Sequence, residues 1–231
     1  MIRWIYGVTT VPARRRDLLP GTLASLGAAG FSLPVLFVDG PYDTLKRDCE
    51  FDNSIVERED PVRTFGNWAL AIHELYIRDP FADRYAVFQD DILSCQNLRG
   101  YLDECNYPKH GYWNLYTCRD NEPVELTPSG WHLSNQHGRG ALGLVFDGAA
   151  MVKLLTSPIF VEHPRDKARG WRSIDGAVMD AMKSVGYQEW IHNPSLLQHT
   201  GAVSQTKRHN QPVARSFPGE STDARAFLAA R

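Results

Sequence analysis

The first forty residues alternate apolar, helical and apolar stretches, and this alternation limits the folds open to the chain. Residues 1–8 form a mostly apolar run, residues 18–29 carry leucines at helical spacing, and residues 33–38 form a second short apolar run. Two strands joined by one helix in so short a segment form a parallel pair with a right-handed crossover. The opening therefore predicts an α/β protein with a parallel sheet.

The rest of the chain continues this alternation. Further strands are predicted at 54–56, 85–88, 111–117 and 187–191. Further helices are predicted at 68–77, 98–104, 148–155 and 176–185. The glycine-containing stretch 138–146 is interpreted as a kinked strand or a close backbone approach to a ligand, and the polar stretch 120–137 as a long loop, which is usually functional. A chain of 231 residues suits one core. We predict one α/β domain over residues 1–219, with a mixed, mainly parallel sheet flanked by helices, and a C-terminal tail over residues 220–231.

Two adjacent carboxylates, Asp90 and Asp91, follow the buried strand 85–88 directly. Ile92 and Leu93 are apolar again, so the acids do not belong to a solvated run of charges. Open α/β sheets bind ligands at the carboxyl ends of their strands, and two acids buried there lose hydration and repel each other. A divalent cation would compensate both charges. The alternative is a strand end whose aspartate caps the following helix.

Two other strand ends carry polar residues. The first strand is followed by Thr9, Thr10 and Arg14, a hydroxyl-rich and basic turn that suits a phosphate or a base, or else a helix cap with an exposed arginine. The second strand ends at Asp39, which either bonds a ribose hydroxyl or a base, or begins a tight turn. Both positions lie where parallel sheets bind ligands.

The second half of the chain offers a candidate base and a candidate metal ligand. Asp175 directly precedes the predicted helix 176–185, so it is either a general base or a helix cap. The histidines that compete for the role of base are His132, His137 and His163. His199 follows the last strand and is either a metal ligand or a structural histidine.

The order of these residues resembles that of GT-A-type glycosyltransferases over about residues 3–219. Such enzymes place a Thr-rich turn with a basic residue after the first strand, an acid after the second, an acidic metal-binding triplet, an acid before a later helix and a C-terminal histidine. The corresponding positions here are 8–14, Asp39, Gln89-Asp90-Asp91, Asp175 and His199. The opening and the stretch around His199 are most similar to the family that branches N-glycans with N-acetylglucosamine. Small phage enzymes that glycosylate hydroxymethylated pyrimidines in DNA share the same minimal plan. The sequence departs from the pattern at Gln89, where an acid is usual.

The resemblance implies a single GT-A-like (Rossmann-like) domain that moves a sugar from a nucleotide-sugar, by preference a UDP-sugar, to a hydroxyl acceptor with inversion. It implies that Asp91 and His199 bind Mn²⁺ or Mg²⁺, and that Asp175 is the general base. The implied donor-binding residues are Thr9, Thr10, Arg14, Asp39, Asn67, Gln89 and Asp90. Such a cation stabilises a diphosphate leaving group, and an imidazole beside carboxylates favours Mn²⁺.

Charge and composition bear on the acceptor and the compartment. A net charge of -2 creates no overall positive potential that would attract a polyanion. Residues 163–172 nevertheless form a local basic cluster that, with Lys207 and Arg208, could grip DNA phosphates; a solvated charged surface is the alternative. The sequence has no secretory signal pattern, no apolar run of about 20 residues and no paired cysteine spacing. We therefore expect a cytoplasmic enzyme without a membrane partner, in the host cytoplasm if it is phage-encoded.

The favoured acceptor is a hydroxymethylated pyrimidine in DNA, flipped out of the duplex into the pocket. Trp131, Trp171 or Trp190 could stack on the flipped base, and Trp131 with His132 could form an acceptor wall or a lid. One rival hypothesis is a bacterial polysaccharide or glycan glycosyltransferase. Another is a degenerate protein that binds sugar nucleotides without catalysis. A sugar-nucleotide pyrophosphorylase is disfavoured because no glycine-rich loop follows the first strand.

Overall fold

The computed structural model describes residues 1–41, 54–122, 129–162, 173–200 and 213–230. In these ranges the strands are β1 (Trp4–Thr10), β2 (Val35–Val38), β3 (Ile55–Glu57), β4 (Arg84–Gln89), β5 (Ile92–Ser94), β6 (Gly111–Asn114), β7 (Gly130–Leu133), β8 (Gly143–Asp147), β9 (Gln188–Asn193) and β10 (Leu197–His199). The α-helices are α1 (Leu19–Ala28), α2 (Arg63–Arg78), α3 (Leu98–Glu104), α4 (Gly148–Leu155), α5 (Pro158–Glu162) and α6 (Ile174–Ser184).

An eight-stranded mixed sheet has the strand order β3-β2-β1-β4-β8-β6-β9-β7. The strands β1 to β4 are mutually parallel, β8 is antiparallel to both β4 and β6, β9 is parallel to β6, and β7 is antiparallel to β9. All strands of this sheet except β7 and β8 therefore run in one direction. Strands β10 and β5 form a separate two-stranded antiparallel ribbon. The predicted α/β class with a mixed, mainly parallel sheet is confirmed.

Strand β4 is buried on both faces because helices cover both sides of the sheet. Tyr85 and Val87 belong to one core together with residues of α2, α4 and α6. Ala86 and Phe88 belong to a second core together with residues of α1 and α3. Successive side chains of a strand point to opposite faces, so a strand in this position is apolar at consecutive residues. This environment explains the short, unbroken apolar run that precedes the acid pair.

Several predicted elements have different ends in the structure. Helix α2 begins at Arg63, ahead of the predicted start at residue 68, and β3 is shifted by one residue from the predicted 54–56. The strand predicted at 111–117 ends at Asn114, whose Oδ1 accepts the backbone N–H of Tyr116 (3.1 Å) and so replaces a ladder partner. The helix predicted at 148–155 is confirmed, and Asp147 caps it through Oδ1, which accepts the N–H of Ala150 (2.7 Å).

The interpretation of residues 120–137 as one long loop is wrong where they are described. The segment Gly130–Leu133 is the edge strand β7, and it pairs with β9. Trp131 stacks on Trp113 with ring centroids 4.7 Å apart, and it also contacts His192 edge to face. Trp131 is therefore held in the sheet and is not part of a lid.

The last described segment packs against the rest of the domain. Ala224 is fully buried, and Gln96 and Asp223 form an isolated β-bridge. The predicted boundary between a domain at 1–219 and a tail at 220–231 stays a prediction. Among the described helices, none combines the length and the apolar character needed to cross a membrane.

Candidate functional site

Asp90 and Asp91 occupy the turn between β4 and β5, and both residues are nearly fully buried, with 4% and 2% of their surface exposed. The neighbouring end of β1 reaches the same place because Thr9 pairs with Gln89 across the parallel ladder. Thr10 Oγ1 consequently donates a 2.5 Å hydrogen bond to Asp90 Oδ2. Thr9 Oγ1 donates to the Phe88 carbonyl oxygen (3.3 Å) and so supports the strand end.

Arg14 compensates the charge of both acids. It belongs to a single-turn 3-10 helix, Pro12–Arg14, that follows β1, and Pro12 stands at the first helical position, where no N–H is needed. One guanidinium nitrogen, Nη1, lies 2.5 Å from Asp90 Oδ1 and 2.7 Å from Asp91 Oδ2. The Arg14 side chain is only 11% exposed. For Arg14, the alternative of an exposed arginine is therefore wrong.

The ribbon of β5 and β10 brings His199 to the acid pair. In this ribbon His199 pairs with Ile92, and the backbone N–H of Thr200 donates to the Asp91 carbonyl oxygen (2.9 Å). As a result, His199 Nε2 lies 3.2 Å from Asp91 Oδ2. The histidine is 3% exposed, so its imidazole contributes to a largely buried cluster.

Burial and charge act in opposite directions on the ionisable groups of this cluster. Burial raises the pKa of Asp90 above its ordinary value, although Arg14 and Thr10 partly offset the effect. Burial also acts to raise the pKa of Asp91, but the hydrogen bond and charge of His199 and the charge of Arg14 outweigh it and hold that pKa below its ordinary value. Burial acts to lower the pKa of Arg14, but the two aspartates raise it overall. Asp91 is therefore the acid that stays ionised most readily.

The other predicted donor-binding residues lie around this cluster with their own contacts. The N–H of Asp39 donates to the Thr10 carbonyl oxygen (2.9 Å), and Asp39 Oδ1 accepts the N–H of Val62 (2.7 Å), the residue before α2. Asp39 thus lies beside the end of β1 and also bonds the residue that precedes α2. Gln89 Nε2 donates to the Ala141 carbonyl oxygen (2.9 Å). An acid at that position could not donate this hydrogen bond, which gives a structural reason for the departure from the family pattern.

The hydrogen bonds of the Asn67 side chain go to groups other than the acid pair. It is 2% exposed, and its Nδ2 donates to the Phe37 carbonyl oxygen (2.8 Å). Its Oδ1 accepts a hydrogen bond from Arg58 Nε (3.2 Å). These contacts tie α2 to the end of β2, and a donor-binding role for Asn67 stays a prediction.

Asp175 lies in the first turn of α6, behind Ser173, which is the N-cap residue. Its Oδ2 accepts the N–H of Gly140 (2.7 Å), and its Oδ1 accepts the N–H of Gly176 (3.0 Å). The segment that contains Gly140 also bonds the end of β4, because the Gln89 N–H donates to the Leu142 carbonyl oxygen (2.9 Å). Residues 140–142 therefore join the start of α6 to the end of β4, which carries the acid pair.

The glycines of this segment allow close packing of protein against protein. A Cβ at Gly138 would lie 2.5 Å from the Asp175 carbonyl oxygen, and a Cβ at Gly140 would lie 2.4 Å from the Tyr116 ring. Both glycines have positive φ, +61° and +77°. The close backbone approach that was predicted here is made to α6 and to an aromatic ring of the same chain.

A buried acid behind this segment was not predicted. Glu189 on β9 is 1% exposed, and its Oε1 accepts hydrogen bonds from Asn114 Nδ2 (3.1 Å) and Tyr112 Oη (3.3 Å). Asn114 Nδ2 also donates to the Gly140 carbonyl oxygen (2.9 Å). Burial raises the pKa of Glu189. The alternation of the residues around Glu189 could have indicated that this acid faces inward. Nothing else in the predicted strand 187–191 pointed to a buried acid.

The remaining predicted groups are not placed in the acid cluster. Trp190 packs against Gly111, where a Cβ would lie 2.7 Å from the Trp190 ring. His132 lies on the edge strand β7, and His137 is exposed. His163, Trp171, the basic cluster 163–172, Lys207 and Arg208 lie outside the described residues.

The donor atoms of the cluster fit a divalent cation that shares its coordination with a substrate. In the described ranges no group of three or more His, Cys, Asp or Glu side chains is placed to hold a metal by itself. Asp91 Oδ1 is buried and has no hydrogen-bond partner in the part of the chain that the structure describes. A buried carboxylate oxygen normally has a partner. Mg²⁺ is usually bound by one or two carboxylates plus substrate phosphates, so Asp91 suits such a site, and an imidazole such as that of His199 beside it favours Mn²⁺.

The chain matches no protein-family model and no curated protein sequence. Among solved structures, GalNAc-T7 with UDP, GalNAc and Mn²⁺ is similar with a TM-score of 0.53 and 9% identity over 82% of this chain, which spans 42% of that chain. A variant of a Drosophila β1,4-galactosyltransferase 7 with manganese, UDP-Gal and xylobiose has a TM-score of 0.49 and 12% identity, over 94% of this chain and 82% of that one. A 4-diphosphocytidyl-2C-methyl-D-erythritol synthase from Anaerococcus prevotii has a TM-score of 0.49 and 10% identity, over 89% and 94%.

The chain is a single α/β domain of GT-A-like fold, similar to that of the GalNAc-T7 structure. At the carboxyl edge of its sheet it carries two buried aspartates, an arginine and a histidine. In open α/β sheets this edge is where ligands bind.

Proposed function

We propose that this protein is a metal-dependent glycosyltransferase that moves a sugar from a nucleotide-sugar, by preference a UDP-sugar, to a hydroxyl group. The observation that carries the proposal is the convergence of Asp90, Asp91, Arg14 and His199 at one edge of a GT-A-like sheet. The structurally similar GalNAc-T7 was solved with UDP and Mn²⁺, which supports the choice of donor and cation. Asp91 and His199 would hold the Mn²⁺ or Mg²⁺.

The donor side of the proposed site is built from the ends of β1, β2 and β4. Thr10 and Arg14 hold Asp90 in place. Asp90 would contact the ribose or bond a group that itself binds the cation. Asp39 would contact the ribose or the base. A divalent cation, when bound, stabilises the negative charge that develops on a diphosphate leaving group. Arg14 brings a permanent positive charge to the same place.

Asp175 is the proposed general base. An acceptor hydroxyl would transfer its proton to a carboxylate oxygen of Asp175 while its oxygen bonds to the anomeric carbon and the bond to the diphosphate breaks. Each Asp175 oxygen already accepts one backbone N–H, which fixes the carboxylate and leaves further lone pairs for the hydroxyl. Attack from the face opposite the leaving group gives inversion.

The acceptor that we propose is a hydroxymethylated pyrimidine in DNA. Support comes from the sequence alone, because the basic cluster 163–172 directly precedes Ser173 and α6, on which the proposed base lies. Lys and Arg side chains there would contact phosphates and hold the strand while one nucleotide is flipped out. A glycan acceptor is the competing proposal.

The test first measures metal-dependent donor binding and then transfer. With Mn²⁺ and a UDP-, GDP- or TDP-sugar at a hundredfold excess over its Kd, the cognate donor should stabilise the fold by about 2.7 kcal/mol, a rise in Tm of about 5–10 °C for a chain of this size. Asp91→Asn and His199→Ala should each lose this Mn²⁺-dependent rise. His110→Ala, which removes an exposed imidazole, is the matched control.

Transfer is measured with labelled UDP-sugar and two acceptors, hydroxymethylated DNA and oligosaccharides. Label in the DNA supports the acceptor proposal. Label in the oligosaccharides and none in the DNA rejects the DNA acceptor but still supports a glycosyltransferase. Donor binding without transfer to any acceptor would favour a non-catalytic sugar-nucleotide-binding protein. An unchanged metal dependence in both Asp91→Asn and His199→Ala would contradict the proposed metal site.

A further inference from the structure

Arg14 and the proposed cation use the same carboxylate. Arg14 Nη1 lies 2.7 Å from Asp91 Oδ2 and 2.5 Å from Asp90 Oδ1, and the side chains of the three residues are 11%, 2% and 6% exposed. Oxygen ligands bind divalent cations at about 2.0–2.6 Å. A cation on either oxygen of Asp91 would therefore lie close to the guanidinium of Arg14.

The charges of the cluster show why these two cations oppose each other. The two aspartates carry two negative charges when ionised, and Arg14 already compensates one of them. Among the two aspartates, Arg14 and a divalent cation, the sum would be three positive charges against two negative ones in a buried cluster, where charges are poorly screened. A diphosphate brings further negative charges, and it can accept hydrogen bonds from a guanidinium.

We propose that Arg14 is an exchangeable internal counter-ion that opposes cation binding at Asp91 until an anionic diphosphate enters the site. This inference rests on the proposed function, because it assumes that Asp91 and His199 form the cation site. In the absence of nucleotide, Arg14 bonds both aspartates, as the structure shows. When the diphosphate binds, Arg14 would release Asp91 and turn to the phosphate oxygens, which would leave the Asp91 carboxylate to hold a divalent cation. Cation and nucleotide thereby bind with positive coupling.

The side chain of Arg14 is suited to this exchange. It extends from the single 3-10 turn that follows β1, and its backbone N–H donates to the Val11 carbonyl oxygen (3.0 Å), so the turn has a bond of its own besides the contacts of the guanidinium. Thr10 Oγ1 donates to Asp90 Oδ2 and keeps that carboxylate anchored when the guanidinium moves. His199 Nε2 lies 3.2 Å from Asp91 Oδ2, at the position of the proposed second ligand.

The experiment counts free Mn²⁺ by electron paramagnetic resonance during titration of the protein without nucleotide. Arg14→Met removes the charge and keeps an unbranched side chain. It should bind Mn²⁺ at least about tenfold more tightly than the native protein, because a unit charge a few ångströms away is removed. Arg16→Met removes the same charge from an exposed position two residues away and should change the affinity less than about twofold, as expected of a screened charge.

The same titration with UDP present measures the coupling. UDP should raise the Mn²⁺ affinity of the native protein by a larger factor than it raises that of Arg14→Met, after correction for the Mn²⁺ that UDP binds in solution. An equal or weaker Mn²⁺ affinity of Arg14→Met without nucleotide, or an equal coupling factor in both proteins, overturns the inference.

Two further variants separate this inference from the proposed function. If Asp91→Asn binds Mn²⁺ as well as the native protein does, the metal site itself is wrong and both proposals fail. If Asp91→Asn loses binding while Arg14→Met shows no gain, only the counter-ion role fails. If Arg14→Met does not fold, the pair Asp90→Asn and Asp90→Asn/Arg14→Met makes the same comparison with one buried charge fewer, and the double variant should bind Mn²⁺ more tightly.

Discussion

Replacing Gly138 by Ala tests the packing that holds the proposed base. The backbone of Gly138 has φ +61°, and a Cβ there would lie 2.5 Å from the Asp175 carbonyl oxygen, 2.8 Å from the Asp175 carbonyl carbon and 2.9 Å from Met179 Cβ. The first two atoms are backbone atoms of the first turn of α6, so no side-chain rotation relieves the overlap. The start of α6, and Asp175 with it, must shift to accept the methyl group.

The size of the effect follows from two contributions. The left-handed backbone costs about 1–2 kcal/mol for a residue with a Cβ, and forcing an extra methyl group against fixed neighbours costs about 1–3 kcal/mol. Gly138→Ala should therefore lower the free energy of unfolding by about 2–5 kcal/mol. For a domain of this size, the lower bound corresponds to a fall in Tm of at least about 4 °C.

Gly186→Ala is the matched control. Gly186 follows α6 with φ +79°, a similar backbone conformation, but no atom lies within 4 Å of a Cβ built there. This variant should show the backbone contribution alone, about 1–2 kcal/mol. Urea denaturation of the two variants and the native protein measures both effects, and the difference between the variants isolates the contact with Asp175.

The outcome also reports on function. Because the overlap moves the carboxylate-bearing turn, Gly138→Ala should lower kcat for sugar transfer more than Gly186→Ala does, with little change in nucleotide affinity. Equal stabilities of the two variants would show that the start of α6 yields freely, and the reasoning about a fixed Asp175 would be refuted.

Two further predictions concern acids. Asp175→Asn should reduce turnover by about 10²–10⁴-fold and leave UDP-sugar affinity unchanged. Asp180→Asn, which changes an exposed acid on the same helix, should keep native turnover. Near-native turnover of Asp175→Asn would show that Asp175 only supports the start of the helix. Burial raises the pKa of Glu189 in the folded state, so the folded protein holds the Glu189 proton more tightly than the unfolded chain does. The resulting stabilisation is fully present below the ordinary Glu pKa and is lost as the pH rises through the raised pKa. Glu189→Gln should therefore gain stability relative to the native protein as the pH rises from 4 to 8 in urea denaturation; a constant difference across this range would contradict a raised pKa.

The sequence by itself determined the fold class and which acidic residues follow strands. The opening strand, helix and strand are local patterns, and the parallel connection follows from chain length and handedness. The unbroken apolar run ahead of Asp90 likewise reflects a strand covered on both faces, as β4 is. The positions of Asp39, Asp90 and Asp91 at strand ends were predictable for the same reason, since each is set by the residues next to it.

Only the tertiary structure decided which groups meet. The sequence predicted that a positive charge must offset the two acids, but it could not show that Arg14, 76 residues before Asp90, supplies one. The contact of His199 with Asp91 depends on the three-residue strands β5 and β10. Strands of three residues are too short to carry a recognisable period, and their pairing is set by the register of distant segments. Burial, charge pairing and register are properties of the folded chain, and they convert separate strand-end residues into one site.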